Sequence, residues 1–246
     1  MDTVAHVVKF NNQTSGRDKL CRVFQYACKF LGHYLLTRRQ DPNLIEKLKI
    51  LENNLSATRK LIRFGKSLDM IQGALKSMQL TDTVLQMTLT LAKLNQAGFL
   101  LVDHFIWVGK TGLGPLNTKY WAKVSSRFWI VTIMLNLLRN FYDILTIITT
   151  NTQAGQPKAK DKEKAETQMI SEAKNRSNSV NVMRLADPQF RPVIVDTIKN
   201  GTDVFLPLSS LGYIDISPGT QGLLGVVSSL MGILTIWEPT LKLVPS

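Results

Sequence analysis

The sequence predicts an all-α membrane protein. Three observations carry that expectation. A run of 22 residues from Ile216 to Trp237 contains no charge. Apolar residues recur at spacings of three and four through most of the remaining chain, the period of a one-sided helix. No segment shows the strict apolar–polar alternation of a strand. The chain of 246 residues carries a net charge of +12, and the excess is uneven. Residues 1–81 hold 14 Lys+Arg against 6 Asp+Glu, whereas residues 181–246 hold 4 against 5. The N-terminal third is therefore the part suited to a phosphate-rich partner, either nucleic acid or anionic lipid. Two cysteines, Cys21 and Cys28, are too few for a disulfide framework and read as free thiols in a reducing compartment. The first 15 residues lack the basic start and apolar core of a signal peptide, so synthesis in the cytosol is expected.

In chain order, residues 1–82 read as a basic amphipathic helical region. Ser15-Gly16-Arg17-Asp18 fits a capping box. A helix to about Leu36 follows, with Leu20, Val23, Phe24, Ala27, Leu31, Tyr34 and Leu35 on one face and Arg22, Gln25, Lys29 and His33 on the other. Asp41-Pro42 starts the next helix, with a capping acid before a first-turn proline. Its stripe runs through Leu44, Leu48, Leu51 and Leu55. After a change of register the pattern continues through Leu61, Phe64, Leu68, Ile71, Leu75 and Met78. Arg59, Lys60, Arg63 and Lys66 lie away from that stripe, which makes this an amphipathic helix with a basic face. Gly65 and Gly73 weaken it in isolation by about 1 kcal/mol each. The alternatives are a wedge in one lipid leaflet, its cations on lipid phosphates, or a helix packed on a core with a solvated basic face.

Residues 83–150 read as a hydrophobic helical region with two long segments, 83–102 and 128–150. The first contains Lys93, and the second contains Arg139 and Asp143, one helical turn apart. Each is long enough to span a bilayer, and each equally suits a core helix of a bundle. A charge near the bilayer centre costs about 2.5–3.5 kcal/mol. Gly109 to Pro115 reads as a loop. Residues 151–180 read as a flexible polar linker. Residues 181–246 form the C-terminal region, with a transmembrane helix at about 219–237. At about 1.5 Å per residue that helix approaches the thickness of a hydrocarbon core. Its overlapping pairs Gly225/Ser229 and Ser228/Gly232 suit close helix packing, on a second copy or on another span.

No constellation supports catalysis. Gly109-Lys110-Thr111 lacks the earlier glycine of a phosphate-binding loop, because His104 stands there, and no strand precedes it. The three histidines, His6, His33 and His104, have no partner at metal-ligand spacing. No cofactor, metal or enzyme activity is expected. Nucleic acid is an unsuitable partner, since the basic residues are not interleaved with aromatics.

Several stretches resemble one family in its own order. They are QTSGRDKLCRVFQYACKFLGHYL (Gln13–Leu35), TRKLIRFGKSLD (Thr58–Asp69), IWVGKTGLG (Ile106–Gly114), VIVDTIKNGTDVFLPLSSLG (Val193–Gly212) and GLLGVVSSLMGILTI (Gly222–Ile236). The chain resembles the peroxin-11 family of peroxisomal membrane proteins. The resemblance implies a peroxisomal membrane protein, both termini cytosolic, that elongates and divides the organelle. It implies amphipathic helices that remodel the membrane, self-association, and partners in the dynamin-type fission machinery and its membrane adaptors. The remodelling stretch of the family falls on Thr58 to Met78. Combined with the residues, this gives a mechanism: Arg59, Lys60, Arg63 and Lys66 attract anionic membrane lipid. Leu61, Phe64, Leu68, Ile71, Leu75 and Met78 then enter the leaflet, and Gly225, Ser228, Ser229 and Gly232 pack the terminal helix. The alternative is a small-metabolite pore lined by Lys93, Arg139 and Asp143.

Overall fold

A computed structural model describes residues 3–39, 41–154 and 188–243. Its described residues form nine α-helices and no strand: α1 (Thr3–Asn12), α2 (Thr14–Thr37), α3 (Pro42–Ile62), α4 (Lys66–Ser77), α5 (Thr83–Thr111), α6 (Thr118–Ala154), α7 (Arg191–Asp203), α8 (Phe205–Leu211) and α9 (Pro218–Trp237). A short 3₁₀ turn, Pro239–Leu241, follows. All-α architecture is thus as expected. Most of the expected polar linker lies outside the described residues, and α6 extends four residues into it.

The helix starts show where local chemistry decides. Asp41 caps α3 by accepting from the Asn43 amide at 2.9 Å, with Pro42 in the first turn. Asp82 caps α5 through the amides of Val84 and Leu85. Ser217 caps α9 through the Thr220 amide at 3.1 Å. The capping box at Ser15–Asp18 does not form. Helix α2 begins at Thr14 after Gln13, with no side-chain cap, and an additional helix, α1, precedes it. Ser15 and Asp18 instead bond to side chains of α3 and α4. The expected continuous helix from Thr58 to Met78 is two helices. Gly65 sits between them at φ +79°, a left-handed conformation that glycine adopts without strain. The loop expected from Gly109 begins three residues later, since α5 runs to Thr111.

Helices α5 and α6 pack side by side, and Asn95 donates to Thr132 Oγ1 at 2.7 Å across their seam. Helix α9 packs antiparallel on α2. The small residues of α9 make that approach possible. A Cβ added to Gly222 would lie 2.6 Å from the Phe30 backbone nitrogen, and one at Gly225 would lie 2.3 Å from the Tyr26 ring. Gly232 faces Lys19, three turns along. The ring of Trp237, at the end of α9, lies 6.0 Å from that of Phe10 and 6.1 Å from that of His6. The N-terminal helix and the end of α9 therefore share one end of the bundle.

A matched pair of substitutions tests this packing. Gly222→Ala should destabilise the protein by about 1–3 kcal/mol, because the new carbon meets backbone that no rotamer change can clear. Gly201→Ala, with nothing within 4 Å of the added carbon, should be neutral or slightly stabilising. Thermal unfolding of both variants in detergent or nanodiscs reads the difference.

Two helical segments are long and apolar enough to cross a membrane, Thr118–Thr150 and Pro218–Trp237. The third expected segment, now the first part of α5, does not meet that test and is a core element: Leu85, Leu89, Ala92, Leu100 and Val102 are buried in it. The bundle is polar inside and apolar outside along much of its length. Asp18, Arg22, Asp103, Arg139, Asn140, Asn200 and Asp203 are buried. Phe24, Leu31 and Tyr34 of α2 are exposed, as are Met134, Leu138 and Phe141 of α6. Charges inside and large apolar side chains outside reverse the usual arrangement in water and suit a lipid surrounding, where intramembrane charges turn toward the bundle interior.

Candidate functional site: an outward apolar stripe over a buried charge cluster

Both faces of the stretch from Arg59 to Met78 exist, with their directions set by the bundle. Leu61, Phe64, Leu68, Leu75 and Met78 are each more than half exposed, and Ile71 is 39% exposed. Phe64, at 72%, is among the most exposed, with its ring edge on His104 at 4.8 Å between centroids. This stripe is open at the surface of the bundle.

The four cations point inward. Arg59 Nε pairs with Asp18 Oδ1 at 3.1 Å, and its Nη1 donates to Gln25 at 2.8 Å. Lys60 pairs with Asp103 at 3.4 Å. Arg63 bridges two carboxylates, Asp103 through Nη2 at 2.8 Å and Asp18 through Nε at 3.5 Å. Lys66 donates to Ser15 Oγ at 2.7 Å. Next to them, Arg22 pairs with Asp203. A basic face meeting lipid phosphates is thus not the arrangement found: carboxylates from α2 and α5 hold Arg59, Lys60 and Arg63. Burial pushes the Lys60 ammonium below its ordinary range, and Asp103 only partly opposes this. Lys66 is lowered by burial too, against Asp18.

Sequence reasoning missed the acids of this cluster. Asp18 lies 41 residues from Arg59, and Asp203 lies 181 from Arg22. No local period reveals such pairs. The available signal was their position, since Asp103 and Asp203 each interrupt an otherwise apolar or polar-neutral stretch.

The small residues of α9 lie on α2 of the same chain. Gly225, Ser228, Ser229 and Gly232 are all buried. Their close packing is intramolecular. Lys93 donates to the Gly73 carbonyl at 2.9 Å and to Ser77. Arg139 pairs with Asp143 at 3.3 Å, as their spacing suggested. None of these last three borders the half-open cavity of about 620 Å³ between α2, α3, α4, α5, α6, α7 and α8.

This arrangement of a charged interior, an apolar exterior and two apolar helices long enough to cross a bilayer accompanies close sequence likeness to known proteins. The family model described as "Peroxisomal biogenesis factor 11 (PEX11)" matches residues 4–237. The chain belongs to the peroxin-11 family. Human Peroxisomal membrane protein 11B is 33% identical, over 97% of this chain and 98% of the relative. Human Peroxisomal membrane protein 11A is 32% identical over 96% and 97%. Peroxisomal membrane protein PMP30A of Candida boidinii is 24% identical over 96% and 95%. No solved structure matches this peroxin-11 chain.

Proposed function

We propose that this peroxin-11 chain is a peroxisomal membrane protein that curves its membrane and so promotes elongation, proliferation and fission of the organelle. The observation that carries the reading is the outward stripe Leu61/Phe64/Leu68/Leu75/Met78, exposed on a folded bundle. Apolar side chains entering one leaflet expand it relative to the other and favour curvature. The charge cluster behind the stripe holds it at a fixed orientation to the bundle. Attraction to anionic lipid falls to cations outside that cluster, among them the exposed Lys9, Arg17 and Lys76. Self-association concentrates the wedges, through surfaces other than the small-residue face of α9. Recruitment of dynamin-type fission machinery and its adaptors rests on family resemblance alone. No covalent chemistry is part of this function.

The test is reconstitution of the full chain into giant vesicles containing anionic lipid. Tubules that lengthen with protein density are expected. Vesicles that stay spherical at every density would overturn the reading. The full chain is needed, because α2 and α3 take partners from α5, α7 and α9.

The closeness of Trp237 to Phe10 supports both termini on one side of the membrane, and family resemblance alone makes that the cytosolic side. Epitope tags at the two ends should be digested together when protease is added to intact peroxisomes. Digestion of one tag with protection of the other would exclude this topology.

A further inference from the structure

We infer that the half-open cavity lined by Arg59, Arg63, Lys19 and Lys66 is a binding site for a small phosphate-bearing anion. The cavity is bordered by nine basic and three acidic side chains. Each acid is already engaged: Asp18 by Arg59 and Arg63, Asp103 by Lys60 and Arg63, and Asp203 by Arg22. Among the described residues, Lys19, Lys66, Lys110 and Lys119 have no carboxylate within ion-pair distance, yet all four border the same space. The helices around them are sheathed in exposed apolar side chains. Lys19 and Lys66 lie partly buried beside the ion pairs, where uncompensated positive charge is costly because the field is poorly screened; Lys110 and Lys119 are exposed and add to the positive field at its open side. Low-dielectric walls focus that field into the cavity and raise the local concentration of anions. A bound anion removes the imbalance.

The chemistry of the lining selects the class of anion. The cavity volume of about 620 Å³ falls in the range of small-molecule sites, roughly 300–1,000 Å³. Its charged groups are spread around the wall and not gathered at one end of an apolar slot, so a fatty acyl chain is a poor fit. A surplus of several charges favours a multiply charged anion over a single carboxylate. Guanidinium forks and ammonium groups are the usual partners of phosphate oxygens. Arg59 and Arg63 bring the forks. Burial and the neighbouring Arg22 pull the Lys19 ammonium down to about 7, and burial lowers Lys66 as well, so an arriving phosphate would hold both in their charged form. The buried hydroxyl of Ser125 borders the same space and supplies a neutral donor, whereas that of Ser126 already donates to Ser210 Oγ at 3.0 Å. The phosphate can belong to a soluble metabolite or to the headgroup of a membrane phosphoinositide, and the lining suits either.

This site requires neither membrane curvature nor conduction, so it stands or falls independently of the proposed function. The test uses the full chain in nanodiscs of zwitterionic lipid, titrated with inorganic pyrophosphate in a calorimeter at low salt. Saturable binding at one site per chain is expected. Lys19→Gln with Lys66→Gln should weaken it by at least about tenfold, the loss of two charge-assisted contacts. Lys110→Gln with Lys119→Gln alters only exposed side chains, so the fold is kept, and should weaken binding several-fold. Lys49→Gln, exposed and away from the cavity, should change nothing. A second set of nanodiscs carries phosphatidylinositol 4-phosphate. If the headgroup is the occupant, pyrophosphate no longer binds in these discs. If a soluble anion is the occupant, pyrophosphate binds as before. Either result supports the site. Absence of pyrophosphate binding together with absence of any stabilisation by the phosphoinositide would overturn it. So would wild-type affinity in both double variants.

Discussion

Replacing Leu61, Phe64 and Leu68 by glutamate should abolish membrane tubulation while leaving the bundle folded. The three side chains are 51%, 72% and 70% exposed, so the substitutions open no cavity in the core. Surface changes of this kind usually alter stability by about 0.5 kcal/mol or less. Their effect on the membrane is much larger. Each apolar side chain that enters lipid contributes about 1.5–3 kcal/mol, all of which is lost. Each carboxylate then resists leaving water. Three such changes remove enough free energy to lower insertion by several orders of magnitude. Vesicle tubulation and circular dichroism, measured on the same preparation, separate loss of function from loss of fold. Normal tubulation by a folded triple variant would show that this stripe is not the wedge, and would move attention to the exposed apolar face of α6.

The faces of the helices were legible in the sequence, and the directions in which they point were not. Periodicity separates Leu61, Phe64 and Leu68 from Arg59, Lys60 and Arg63, because side chains 100° apart along a helix fall on fixed sides. It does not say which side meets the core. In water the apolar side turns inward. Here Phe24 and Tyr34 of α2 turn outward while Asp18 and Arg22 of the same helix are buried. That inversion depends on partners far along the chain, Arg59 for Asp18 and Asp203 for Arg22, which local reading does not bring together. The small residues of α9 show the same division. Their spacing marks a close helix contact, and only the fold shows that the partner is α2 and that Phe30 and Tyr26 receive them. The broken capping box has a similar cause. Ser15 and Asp18 have the right local chemistry for a cap, but the cations of α3 and α4 compete for the same oxygens and win.

The inward turn of the cations changes what their removal should do. If Arg63 met lipid phosphate, neutralising it would weaken membrane binding mainly at low salt, since exposed charges are screened over about 10 Å at 0.1 M. Arg63 instead bridges Asp18 and Asp103, with side-chain exposures of 12%, 10% and 4%. Arg63→Ala should therefore destabilise the bundle by about 3 kcal/mol, because it leaves buried carboxylates short of a partner. Lys60 at Asp103 and Arg59 at Asp18 limit the loss, so the low end of the usual range for a broken buried pair is expected. The penalty should be nearly the same at low and high salt, because buried pairs are little screened. Arg63→Lys should recover only part of it. The native side chain uses Nε for one carboxylate and Nη2 for the other, and a single ammonium cannot reach both. Asp103→Asn in the Arg63→Ala background should restore more, since it removes the stranded charge itself. Unfolding of the four proteins in nanodiscs at two salt concentrations decides the matter. A loss that disappeared in high salt would place Arg63 at the lipid surface after all.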